Sequence, residues 1–479
     1  MQRWKNIHIK KRNRWILVPL LIIVLALASV RYFYTMKDEE PAKDAMLKIK
    51  ERGYMIALTD KNSLDYFIYR GEPMGFQLSL LRSFAEFLGV PLKIVSSTDI
   101  SKLFYYLDLH AGDVIACNIP VTGEGKRMIH FSQTLGETRL VLVQRRPSGN
   151  TIIPATHRVK TISDFINDTV HIQRDLFVKP LLARFFRRAG KNLTVIEERK
   201  KNAVQLIGMV AEGRINYTIC DENLAMIVKR AYPNLDAQMI VDGFHDYGWG
   251  VAHSSDSLLL KINEWVTTIK TNKELKQTYL TYYDNSGIPN YFRNDFFSVK
   301  GEKISPFDEL IRKLSTTIHW DWRLLASLIY EESNFHLGVV SSRNATGLMQ
   351  LMPETASKFG MDSLSSPAQQ LAAGVKFIQW LNEQLPAEIT DPRERIHFIL
   401  AAYNVGLGKV LSARERASQY GKDPNRWYGN VGYYLTRRSL KDPNPSPDSS
   451  FELSMNSGAV RFVDNILERY YHYKNNIPE

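Results

Sequence analysis

Between residues 43 and 285, short apolar bursts alternate with amphipathic stretches. Met55-Ile56-Ala57-Leu58 reads as a strand, 78–88 as a helix closed by Gly89, 92–96 as a strand and 103–109 as a helix. Gly112-Asp113 then opens onto the apolar run Val114-Ile115-Ala116-Cys117. The grammar repeats with strand 170–172, helix 181–186, strand 193–196, helix 203–211, and Gly213-Arg214 opening onto a strand that ends at Asp221. Two matching halves of this kind predict two α/β lobes, whose ligands bind in a cleft outside the strand ends. Turn residues and charges over 286–304 read as a linker. From 305 onward the pattern is helix after helix. Ser366-Pro367-Ala368-Gln369 is a capping box with proline at the first helical position, and Asp391-Pro392-Arg393-Glu394 repeats the device. The expected fold class is therefore multidomain: a two-lobed α/β domain over 41–285, then an all-α domain over 305–479.

The first 36 residues follow a third pattern. Arg3, Lys5, Lys10, Lys11, Arg12 and Arg14 precede an apolar run over 15–30, which is an export signal with its N-terminal end left in the cytoplasm. Ala26-Leu27-Ala28 offers a small-residue cleavage site, but Tyr32, Phe33 and Tyr34 suit a membrane interface, so an uncleaved anchor over 1–36 is the favoured reading. No cysteine lies near this run, which excludes lipid attachment to one there. The rest of the chain is expected outside the inner membrane.

Composition fits that placement. A chain of 479 residues with 44% hydrophobic content can bury two or three cores. The net charge of +12 comes partly from the N-terminal cluster, and the remaining Lys and Arg are spread among acids as on a solvated surface, so nucleic acid is not an expected partner. Cys117 and Cys220 each fall in an apolar strand and read as core residues, not as a bridge or metal site. His336 and His397 lack a third ligand at suitable spacing, so no metal is expected, and no cofactor either.

One place in the helical part carries chemistry. Leu324 and Leu328 stack on one helix face, and the next position on that stripe is Glu332. A carboxylate against apolar side chains loses hydration, and its pKa rises toward the range of a general acid. A single Glu at the end of a stripe is more often a plain surface residue. Glu331, about 100 degrees round the helix, is expected to be the solvated one of the two. Beyond Glu332 come Ser333, Gly347-Leu348-Met349-Gln350-Leu351-Met352-Pro353 and, later, Ala401-Ala402-Tyr403-Asn404.

Those three motifs, in that order, resemble the lysozyme-like transglycosylase (SLT) domain of bacterial cell-wall lytic enzymes, over roughly 300–479. The resemblance implies a peptidoglycan lytic transglycosylase that cleaves the MurNAc-GlcNAc β-1,4 bond with one acid/base, Glu332. The substrate's 2-acetamido group would stabilise the sugar cation and the muramyl C6 hydroxyl would act as internal nucleophile, leaving 1,6-anhydromuramyl ends. Ser333 would orient substrate or acid by hydrogen bonding, Gln350 would turn its amide toward sugar or Glu332, Met349 would line a subsite, and Tyr403 and Asn404 would bracket the carboxyl group or the N-acetyl group.

The α/β part resembles the type 3 family of bacterial extracellular solute-binding domains, through Gly75-Phe76-Gln77, Gly112-Asp113, Thr122 followed by Phe131-Ser132, and Gly213 before the strand ending in Asp221. In that family an Arg six places before the Phe clamps the ligand's α-carboxylate and the strand-end Asp takes its ammonium. Asp221 matches the latter, whereas Gly125 stands where the Arg would be, with Arg127 just beyond. An amino acid, another small ligand or muropeptide, and a structural or regulatory role all stay open for this domain. Together the resemblances imply a membrane-anchored lytic enzyme with its domains in the periplasm of a Gram-negative-type envelope, acting on glycan strands. Rival readings are a hydrolytic muramidase and a non-catalytic cell-wall sensor.

Overall fold

The computed structural model describes residues 44–61, 64–146, 158–164, 169–191, 193–284, 303–436 and 458–478. The expected anchor over 1–36 and all but the last two residues of the expected linker lie outside the described residues.

Met55–Asp60 is the parallel centre of the first lobe, between Leu92–Ser97 and Val114–Pro120. His245–Val251 closes antiparallel onto Val114–Pro120 and carries His130–Phe131 and Gly136–Thr138 at its far edge. The second lobe has the order Thr194–Glu198, Thr169–Gln173, Tyr217–Asp221, Leu140–Arg145, Leu235–Ile240, parallel in its first three strands and antiparallel in its last two. The chain thus passes from the first lobe to the second after Gly136–Thr138 and returns after Leu235–Ile240. The two-lobed α/β architecture matches the sequence expectation. Helix Ala203–Ala211 has the anticipated bounds, and Asn202 with Gln205 forms a full capping box. Cys117 and Cys220 are free and buried.

A two-stranded hairpin, Phe67–Tyr69 with Glu72–Met74, stands apart from both sheets. Its tip needs left-handed backbone at Arg70 (φ 49°) and Gly71 (φ 83°). A methyl on Gly71 would lie 2.6 Å from the Tyr330 ring and 2.9 Å from that of Phe335, so the tip rests directly on the helical domain.

The regular elements of that domain are helices, interrupted by a loop over 334–352 that holds the isolated bridges Val340–Thr346 and Thr346–Leu351. Asp308–Ser315, Trp322–Ser333, Pro367–Gln384, Pro392–Val405, Leu407–Gln419 and the closing helix Gly458–Asn476 surround a core built on Leu325, Leu328, Phe398, Leu400, Val463 and Ile466. Ser366 and Gln369 form the expected capping box. At Asp391 the expected second box is incomplete: its side chain accepts from Arg393 N, while Glu394 accepts from Trp427 N at 2.7 Å.

Ile68 of the hairpin is fully buried within the helical core. Burying it is worth ~2 kcal/mol. The ion pair Arg82–Glu468, half-exposed at 3.5 Å, is worth ~0–1 kcal/mol, so the apolar plug dominates the docking. Buried polar contacts fix its register: Tyr473 Oη donates to Gly71 O (2.7 Å), Asn475 Nδ2 to Ile94 O (2.7 Å), and Tyr66 Oη meets His472 Nδ1 (2.7 Å).

Candidate active site

Helix Trp322–Ser333 starts at Asp321, whose carboxylate accepts from Arg323 N, and buries Leu324, Leu325, Leu328 and Ile329. It stops where Asn334 and Phe335 take left-handed backbone. Glu332 sits in the last turn, half-buried, at the end of the apolar face. Burial, then the neighbouring charge of Glu331, pushes its carboxyl up to about 8. The negative end of the helix dipole acts in the same direction. At neutral pH this carboxyl holds its proton.

Glu331 departs from the expectation of a solvated side chain. Asn465 Nδ2 donates to its Oε1 at 2.8 Å, and Arg469 Nη2 lies 3.5 Å from its Oε2, both from the closing helix. The helical wheel gave its direction correctly, but what occupied that direction was set by tertiary packing.

Ser333 is buried, and its Oγ lies 2.8 Å from Leu348 O and 3.2 Å from Ile329 O. It ties the end of the acid's helix to the Gly347–Gln350 turn, whereas the sequence reading gave it to substrate or acid. Gln350, in left-handed backbone, donates from Nε2 to Val339 O and Gly347 O at 2.9 Å each, so its amide braces the turn rather than facing Glu332. Met349 is buried with its thioether against Gly374. Tyr403 Oη donates to Met349 O at 2.6 Å and its ring packs on Phe377. Burial and then the charge of Glu332 push the Tyr403 phenol far up, so it stays a neutral donor. Asn404 is exposed beside it. Motif residues Ser333, Met349, Gln350 and Tyr403 therefore form one framework around the turn that Ser333 ties to the end of the acid's helix. Sequence reasoning missed Arg469, Asn465, Tyr330 and Glu72. The first two, four apart on one helix face, left a weak trace, and Glu72 left none.

A carboxyl raised this far burdens the fold. Below pH ~4.5 Glu332 is protonated in both folded and unfolded chains; between ~4.5 and 8 only the unfolded chain ionises it, so stability falls as pH rises through that window. Glu332→Gln is expected to raise the Tm by a few degrees at pH 8, with the gain vanishing near pH 4.5. Scanning calorimetry at both pH values checks this, and an equal gain at both would contradict it.

The cleft between the α/β lobes is a second candidate site. Asp60, Asp65, Asp175 and Asp221 line it, with Asn118 and Gln173, and among the described residues its lining includes no Lys or Arg. Gln173 Nε2 donates to Asp60 Oδ1 at 2.9 Å across the lobes. Burial, then the charges of Asp65 and Asp175, pushes Asp221 up to about 7. Arg127 is exposed in the turn Gly125–Met128 and does not line the cleft. A side chain at Gly125 would start 2.9 Å from the Phe131 ring, so Phe131 occupies the space a clamping Arg would cross. Phe104 packs on Phe177, while Tyr105 is exposed.

Residues 56–285 match the family model for bacterial extracellular solute-binding proteins, family 3, and residues 309–425 match the transglycosylase SLT domain. A membrane-bound lytic murein transglycosylase F from Desulfosudis oleivorans is 29% identical over 95% of this chain and 97% of its own length. One of the same name from Pseudomonas fluorescens (strain Pf-5) is 28% identical over 96% of this chain and 90% of its own. Holo ArgBP from T. maritima covers 47% of this chain and 93% of that chain, at 25% identity and a TM-score of 0.40. The amino acid ABC transporter substrate-binding protein AbpA from Streptococcus pneumoniae covers 50% and 98%, at 16% identity and 0.43. Among the described residues no helix is long and apolar enough to cross a membrane.

Proposed function

Because this chain belongs to the lytic murein transglycosylases, with a family 3 solute-binding domain ahead of its SLT domain, we propose that Glu332 alone serves as acid and base in cleaving the MurNAc-GlcNAc β-1,4 bond. The observation that carries this reading is the pairing of one raised, half-buried carboxyl with a neighbour, Glu331, whose oxygens are already held by Asn465 and Arg469. A two-carboxylate mechanism needs a second free acid across the bond, and neither Glu331 nor the exposed Glu354 fits that part.

In the first step Glu332 gives its proton to the leaving glycosidic oxygen while the substrate's 2-acetamido oxygen closes on C1. In the second, the Glu332 carboxylate takes the proton of the C6 hydroxyl, and O6 displaces the acetamido oxygen to form the 1,6-anhydro ring. Water is neither consumed nor released. Tyr403 and Gln350 brace the turn around buried Met349, and exposed Asn404 is the group placed to meet the sugar's carboxyl or N-acetyl substituent. Mass spectrometry of products released from purified peptidoglycan tests the reading. Ends lighter by one water than reducing muropeptides support it, and reducing ends point to a muramidase. The residues ahead of 44 would hold the enzyme at a membrane, with both domains in the periplasm facing the glycan.

For the first domain the ligand is a small molecule or wall fragment that brings positive charge. Four carboxylates, Asp60, Asp65, Asp175 and Asp221, line the cleft and favour a cationic group there, and Gly125 at the clamp position removes the means of holding a free carboxylate. Calorimetric titration of the exported chain with a diamine and a dicarboxylate of matched length is expected to give binding with the diamine only, weakened about tenfold or more by Asp221→Asn. Preference for the diacid would sink this assignment.

A further inference from the structure

The two domains share one cation. Arg469 of the closing helix places Nη1 3.0 Å from Glu72 Oε2 in the hairpin and Nη2 3.5 Å from Glu331 Oε2, while its guanidinium carbon lies 3.9 Å from the centre of the Tyr330 ring. Tyr330 Oη donates to the same Glu72 oxygen at 2.7 Å. Glu331 is the residue next to the acid. The run Glu331, Arg469, Glu72 therefore starts beside the acid and crosses the domain boundary, and the buried Tyr473–Gly71 bond and Ile68 hold its far end in register.

We propose that Glu72 of the solute-binding domain is a positioning residue for the acid of the helical domain: by drawing Arg469 toward itself it leaves Glu331 only partly compensated beside Glu332. The proposal rests on the reading of Glu332 as the acid. Its physics is competition for one guanidinium, which can sit squarely on one carboxylate or be split between two. Split, as here, it cancels part of Glu331's field. With Glu72 neutral or withdrawn, the fork turns fully onto Glu331 and more of that field is cancelled. The field matters because Glu331's charge is the contribution named after burial in raising Glu332 to about 8. Among the described residues the other ionisable groups facing this pair are Tyr330 from the acid's own helix and Tyr403 from Pro392–Val405, both pushed up by burial and neutral at working pH. Asn465, the remaining partner of Glu331, carries no charge. Docking of the first domain thus adds to what burial already does in holding the acid's proton.

The consequence has a sign. Activity requires protonated Glu332 in the first step, so the alkaline limb of the pH–rate profile follows its proton affinity. Initial rates of soluble product release by the exported chain on purified peptidoglycan, from pH 5 to 9.5, read it out. Glu72→Gln is expected to move the alkaline limb down by on the order of half a pH unit, Glu72→Asp to restore it, and Arg469→Gln to move it up, because Glu331 then loses its only cation in the run. A purely structural role would lower the rate at every pH and leave the limb in place, and that result for Glu72→Gln overturns the proposal. Glu72 is half-exposed, so its variants remain testable even if Arg469→Gln fails to fold, which a Tm at pH 7 reveals. Glu332→Gln run in parallel separates the two layers. If it is inert and the Glu72→Gln limb stays still, only this inference falls; if it keeps the parent rate, the acid assignment falls as well.

Discussion

Glu332→Gln is expected to reduce release of soluble products from peptidoglycan by on the order of a thousand-fold or more. General acid–base catalysis by one group contributes ~10²–10⁴-fold, and here one carboxyl is asked to act twice, as acid and then as base, which puts the loss toward the upper end. The amide keeps the shape of the side chain and offers an N–H, but it can neither surrender a proton to the leaving oxygen nor accept one from the C6 hydroxyl. Among the described residues no neighbour is placed to take over. Glu331 is turned to the closing helix by Asn465 and Arg469, and Glu354 lies exposed in the first turn of Pro353–Lys358. The variant should fold at least as well as the parent, since it removes a carboxyl that burial disfavours. Loss of products together with an undiminished Tm therefore locates the defect in chemistry. Retention of even a tenth of the parent rate would mean that another acid works in the cleft.

The helical domain was legible where physics is local. The stripe Leu324, Leu328, Glu332 gave both the helix and the dry setting of the acid, because side chains four apart share a face whatever packs against it. The Ser366 capping box was equally local. In the α/β part, parallel strands between helices were found from their apolar runs. The crossing strands Leu140–Arg145 and Leu235–Ile240, which belong to the second lobe, and His245–Val251, which belongs to the first, were not. A strand's apolar pattern says that it is buried and does not say in which sheet. The hairpin Phe67–Met74 escaped for a different reason: its apolar residues serve another domain, and Ile68 is buried only because the helical core receives it.

The roles of the motif residues show the same limit. Ser333 and Gln350 carry groups able to bond a sugar, and a sequence motif cannot distinguish that use from bonds to the backbone of their own turn. Arg469 and Glu72, 397 positions apart, meet only after both domains have folded. Nothing local marks Glu72, and Arg469 leaves only the weak trace of lying four positions after Asn465. By contrast, Gly125 was informative as an absence, because a missing guanidinium is visible in sequence even when the acidic character of the cleft is not.

Arg323→Ala is expected to destabilise the helical domain by ~3–5 kcal/mol, a Tm fall of roughly 6–15 °C, with little effect on the rate per folded molecule. Arg323 is buried in the first turn of the acid's helix. Its Nε and Nη2 donate to Asp321 Oδ1 (2.9 Å) and Oδ2 (2.6 Å), and its Nη1 donates to Ile477 O (2.9 Å). Tyr470 Oη also donates to Asp321 at 3.0 Å, so one guanidinium joins the start of the acid's helix to the end of the closing helix. Truncation leaves the Asp321 charge without its cation, a buried carbonyl without its donor, and a cavity, three costs that fall together. The exposed pair Lys261–Glu264 supplies the control, for Lys261→Ala should change stability by no more than ~0.5 kcal/mol. Burial tends to raise the Asp321 carboxyl, but the bonds and charge of Arg323 outweigh it and hold the group below its ordinary value. The stabilisation is therefore present above pH ~4 and is lost as pH falls through the folded value, so the gap between Arg323→Ala and parent should narrow in strong acid. Arg323 lies nine positions, roughly two and a half turns, before Glu332, too far to touch substrate bound at the acid. Below its lowered Tm the variant should thus turn over substrate at close to the parent rate. A Tm within 2 °C of the parent at pH 7 would show that this anchor contributes nothing. An intact Tm with a lost rate would put Arg323 in the catalytic machinery instead.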